Sequence, residues 1–134
     1  MNRSVLIASV LYFGLVFALG FVFGTVRTLA MAAVPEISRL QAVLVELPVM
    51  LAAAWFACAA VVQRRHVPST LAARAGMGGG AFLLLMGAEL TLAVVLMGLT
   101  PAEHFQSYAE PSHALGLVAQ MAFGLVPLIQ SIRR

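Results

Sequence analysis

The chain has 134 residues, of which 62% are hydrophobic and only 10% charged, with a mean hydropathy of +1.00. A water-facing domain carries roughly a quarter charged residues, so this composition excludes a soluble globular protein and leaves an integral membrane protein. The net charge of +3 comes from eight arginines, with no lysine, against five glutamates; lying at the ends of apolar runs, these arginines are a topology signal and not a nucleic-acid footprint.

The first apolar run, Val5 to Val26, holds 22 residues. Arg3 precedes it and Ala30-Met31-Ala32 resembles a cleavage site, yet a signal-peptide core spans about 7–15 residues, so the run reads as a membrane helix. Thr28 to Val34 stays apolar before Pro35, which leaves open whether this helix continues or turns along the interface. The second run is Gln41 to Val62; its Cys58, the single cysteine, sits among Ala57, Ala59 and Ala60, which rules out an internal disulfide and a cysteine metal cluster. The third, Ala72 to Leu99, follows the capping residues Pro68-Ser69-Thr70 and contains Gly78-Gly79-Gly80, read as a site of tight packing or a bend. Thr100-Pro101-Ala102-Glu103 is a capping-box pattern with proline at the first helical position. It predicts a short helix carrying Phe105 and Tyr108 along the outer interface. The fourth run, His113 to Ile129, starts after Glu110-Pro111-Ser112.

A bilayer core of roughly 30 Å needs about 20 apolar residues per helix, so residues 1–134 accommodate four spans as one domain. No run alternates strictly between apolar and polar residues, which excludes a β-barrel. The expected fold is an all-α membrane protein: an antiparallel bundle of four transmembrane helices with a short outer interfacial helix. Arg64, Arg65, Arg74 and His66 crowd the connection between the second and third spans, Arg3 flanks the start, and Arg133 and Arg134 flank the end. By the positive-inside rule these places are cytoplasmic, and the other two connections face outward. The all-arginine, Ala/Gly/Leu/Val-rich composition reads as GC-rich bacterial coding, hence an inner-membrane protein with both termini cytoplasmic.

Each span carries one strongly polar side chain toward its outer end: Arg27, Glu46, Glu89 and Gln120. On ideal helices Glu46 and Gln120 lie roughly 10 Å from the outer end and Glu89 about 16 Å from it. Arg27 shares a face with Gly20 and Gly24, and Gln120 lies between Gly116 and Gly124. Glu46 lies above Ala42 in line with Ala53, Ala57 and Ala60, so the polar groups fall on faces expected to pack inward. Pro48 and Pro127 each free a backbone carbonyl, and freed carbonyls beside a buried acid often line a cavity. Should Glu46 and Glu89 lie close together, Arg27 can neutralise only one of them, which leaves the other, Glu89, as a group that gains and loses a proton. Two readings stay open: a binding or proton-handling site, or an interhelical polar clamp that fixes the bundle or meets a partner.

Other candidates carry less. His104 and His113 with Glu103 and Glu110 match no metal-ligand spacing, and Trp55 and Phe56 are explained by packing. No nucleophile with a paired base and no haem-attachment pattern is visible. The stretch Arg39-Leu40-Gln41-Ala42-Val43-Leu44-Val45-Glu46-Leu47-Pro48 resembles the second helix of the MAPEG family of membrane glutathione-linked enzymes. It departs from that family's pattern in having Val43 at the asparagine position and one residue, not two, between Glu46 and Pro48, and no catalytic residue is carried over. The expected function is a non-catalytic accessory or binding subunit of a larger membrane complex, meeting a partner subunit, its own copies or an apolar small ligand in the bilayer, without nucleic acid. The alternatives are a small proton-coupled carrier using Glu46 and Glu89, and a MAPEG-like membrane enzyme.

Overall fold

A computed structural model describes residues 3–133 and contains four long helices with a short helical segment between the last two. Helix α1 spans Arg3–Ala33, α2 Arg39–Arg65, α3 Leu71–Val95, α4 Pro101–Gln106 and α5 Pro111–Ile132, with a single 3-10 turn, Ser107–Ala109, joining α4 to α5. The four long helices are apolar enough to cross a membrane. Arg134 lies outside the described residues.

Local chemistry sets the boundaries. Thr28 to Val34 does not form an interfacial turn: α1 runs through it to Ala33, and its 31 residues amount to about 46 Å, longer than a bilayer core. Ser38 begins α2 with a capping box, its hydroxyl accepting from Gln41 N–H while the Gln41 side chain accepts from Ser38 N–H. His66 closes that helix in the left-handed region at φ 52°. Thr70 caps α3 through Ala73 N–H. Helix α3 ends at Val95, short of Leu99, because the chain turns at Gly98 with φ 70°, where Leu99 N–H reaches the carbonyl of Ala93. In α4 the Thr100 hydroxyl accepts from Glu103 N–H and the Glu103 carboxylate accepts from Thr100 N–H. This contact holds the Glu103 carboxyl below the usual carboxylate range.

Helix α1 packs on α2 and α3, and α5 packs on the same two, so α1 and α5 stand diagonally, as do the consecutive helices α2 and α3. Sequence neighbours α1 and α2 are antiparallel, whereas α1 beside α3 and α2 beside α5 run parallel. Helices α3 and α5 approach closely at a pair of glycines. A Cβ on Gly78 would lie 1.9 Å from the carbonyl oxygen of Gly124, so only glycine permits this contact. Gly79 has open space around it.

The closed core occupies only one half of the bundle. Val5, Ala8, Tyr12, Ala54, Cys58, Val61, Met77, Ala81, Phe123 and Val126 are buried together there. Proline shapes its centre: Pro127 cannot donate to the carbonyl of Phe123, and the Tyr12 hydroxyl fills that vacancy at 2.7 Å while its ring stacks on Phe123 at 4.4 Å. Ser9 donates to the Met77 carbonyl at 3.1 Å and ties α1 to α3. Outward, the bundle presents Val45, Phe56, Leu83 and Val95, each at least 70% exposed, an apolar belt suited to lipid and not to water.

Candidate functional site

Above the Tyr12–Phe123 contact the four long helices splay around a cavity of about 650 Å³. Its floor is Val16, Ala54, Leu85 and Phe123, and its walls climb through Phe17, Met50, Leu92 and Leu117. His104, Ser107 and Tyr108 from the α4 segment, with Arg39 and Ser112, border its upper part. The bundle is therefore closed at the end rich in arginine and hollow at the other. All five glutamates, Glu36, Glu46, Glu89, Glu103 and Glu110, belong to the hollow end.

All four side chains singled out from sequence, Arg27, Glu46, Glu89 and Gln120, line this one cavity. They form two separate pairs. Arg27 Nη1 donates to Glu46 Oε2 across α1 and α2, an ion pair whose side chains keep 23% and 17% of their exposure. Gln120 Nε2 donates to Glu89 Oε1 across α5 and α3. One wall thus carries a compensated charge pair, and the opposite wall carries a carboxyl group held by a neutral amide.

The short helix is part of the site. Tyr108 is expected along the outer interface; instead its hydroxyl turns inward toward Glu89 and lies 3.3 Å from His104 Nε2. Burial, and then the adjacent Glu89 carboxylate, raise the Tyr108 hydroxyl above the ordinary phenol range, so it stays a proton donor at neutral pH. Glu110 Oε2 lies 3.2 Å from His113 Nδ1 at the start of α5. Phe105 remains exposed on the outside of α4.

Several sequence expectations change. Gly20 and Gly24 do not mark a close helix crossing: they line the cavity, where a Cβ would meet only Met50 Cε and Arg27 Nη2, each at 3.6 Å. Gly116 likewise borders open space, while Gly124 is a true contact glycine. On α2 the buried stripe is Ala54, Cys58, Val61 and Val62, and Ala60 faces outward. Arg74, in the first turn of α3 beside the arginine-rich connection, is not exposed but buried at the closed end, with Nε donating to the Pro68 carbonyl at 3.1 Å and Nη1 to the Pro127 carbonyl at 3.2 Å. The sequence reading missed Tyr12 and the burial of Arg74. In both cases the available signal was Pro127, whose neighbourhood needs donors from elsewhere in the bundle.

Comparison with protein-family models, with curated proteins and with solved structures finds no match to this chain.

Proposed function

We propose that this chain is a small non-catalytic membrane binding protein that takes an amphipathic small molecule into the hollow half of its bundle. The observation that carries this reading is the cavity itself: about 650 Å³, apolar along most of its wall, with Arg27–Glu46 and Glu89–Gln120 as the polar anchors. A concave apolar site with few convergent polar groups is the form small-molecule sites take. An apolar body would be desolvated against Val16, Leu85, Met50 and Phe123, and a polar head would exchange hydrogen bonds with Glu89, Gln120 and Tyr108. The distribution of Arg64, Arg65 and Arg74 supports an orientation in a bacterial inner membrane with the closed end cytoplasmic and the cavity facing outward.

The closed half favours binding over passage. A molecule in the cavity meets the stacked Tyr12 and Phe123 rings and the packed core beneath them, so transport needs that layer to open. A carrier is the second reading, favoured specifically by Glu89, which has a neutral amide as its partner in the deeper part of the site. The test is native mass spectrometry of protein purified in mild detergent. The wild type is expected to retain one small molecule per chain, and Gly116→Leu, which fills open space in the cavity without touching the core, to lose it. Absence of any bound molecule, together with a stable complex with a second protein, would replace this reading with that of an accessory subunit.

A further inference from the structure

The two pairs in the cavity differ in charge, and that difference selects a ligand. Arg27 is committed to Glu46, so its charge is matched within the α1–α2 wall. Glu89 faces Gln120 from α5, Tyr108 from the turn after α4, and the imidazoles of His104 and His113, none of which carries a fixed positive charge. Arg39 borders the cavity from the exposed N-terminus of α2 and is solvated there. The one carboxylate of the deeper cavity without a fixed positive charge beside it is therefore Glu89. Charge in a low-dielectric site is expensive unless it is paired or protonated. The cavity beside Glu89 is thus suited to a monovalent cation, and its apolar walls below to the body of that cation.

We infer that the preferred ligand is a lipophilic organic cation, with its positive centre against Glu89 and its apolar body against the cavity floor, bound in competition with a proton on that carboxyl. This inference rests on the proposed binding function and adds the sign of the ligand's charge. Acidification opposes binding by protonating Glu89, and the imidazoles of His104 and His113 border the same cavity. A pH effect alone therefore does not identify the group, and the decisive variant is Glu89→Gln, which keeps the shape and an acceptor but removes the charge.

Tetraphenylphosphonium and tetraphenylborate have closely matched shape and opposite charge, which makes them suitable probes. Equilibrium binding would be measured to the full chain in nanodiscs of uncharged lipid, with empty nanodiscs as the blank and uncharged triphenylphosphine oxide as a third probe. The wild type should bind the phosphonium at least about tenfold more tightly than the borate. Glu89→Gln should abolish that preference while keeping its affinity for the uncharged probe, and Glu36→Gln, on the exposed connection outside the cavity, should behave as wild type. Phosphonium affinity should fall as pH is lowered between about pH 8 and 5, with the uncharged probe unaffected. Equal affinity for the two ions, a preference retained in Glu89→Gln, or a phosphonium affinity independent of pH would overturn the cation assignment. In those cases binding of the uncharged probe would leave the binding function standing. Failure of all three probes to bind would overturn both.

Discussion

Individual residues divide this molecule into positions that close it and positions that keep it open. Gly78 belongs to the first kind, because the atom facing it is the backbone oxygen of Gly124 and cannot rotate away. Gly78→Ala is expected to push α3 from α5 and cost about 1–3 kcal/mol. Gly79→Ala, with nothing near its Cβ, should be neutral or stabilising by up to about 1 kcal/mol. Unfolding of the two variants by steric trapping or thermal melting in detergent compares them directly. The polar pairs differ in the same way. Arg27→Ala leaves Glu46 without its counter-charge, a loss of about 3 kcal/mol, at the lower end of the range for buried pairs because both side chains retain some exposure. Glu89→Gln keeps a hydrogen-bonding partner for Gln120 and should fold with near wild-type yield. Equal losses of folded yield in the two variants would mean that Glu89, too, belongs to a structural clamp. The four polar positions were legible in the sequence because strongly polar side chains are rare within apolar spans. Their pairing was not legible, since it depends on which helices become neighbours.

At the scale of elements, the short α4 segment carries the least packing and depends most on its cap. None of its six residues is buried, and its start is held by the reciprocal Thr100–Glu103 contact. The Glu103 carboxyl is held below its ordinary value in the folded protein. Its contribution is therefore fully present above the pKa of the unfolded chain and is lost as pH falls through the lower folded value. Amide hydrogen exchange should show faster exchange at Glu103 and His104 in acid, beyond the intrinsic pH dependence of exchange, with Thr100→Ala producing the same change at neutral pH. Protection of α4 that is unchanged by either treatment would show that packing, and not the cap, holds it. Helix existence and starts were readable from capping residues and apolar length: Thr70, Thr100 and Pro111 each begin a helix as their chemistry predicts. The inward turn of Tyr108 was not readable, because it follows from the cavity that opens beside α4 and not from the segment's own pattern.

The whole molecule is a bundle packed at one end and hollow at the other, with its acids gathered at the hollow end. Fold class followed from composition and span length, which the bilayer constrains strongly. The half-open interior depends on small differences in helix separation, set by Gly78 against Gly124 below and by Arg27, Glu46, Glu89 and Gln120 above, and periodicity carries no information about those separations. A thiol-labelling comparison in a Cys58→Ala background tests this asymmetry and its orientation most directly. An impermeant maleimide applied to intact cells should modify Gly116→Cys in the cavity. It should not modify Ala81→Cys in the closed core, and it should reach Ser69→Cys, in the arginine-rich connection, only after the membrane is permeabilised. Labelling of Ala81→Cys at the rate of Gly116→Cys, or of Ser69→Cys in intact cells, would contradict the account.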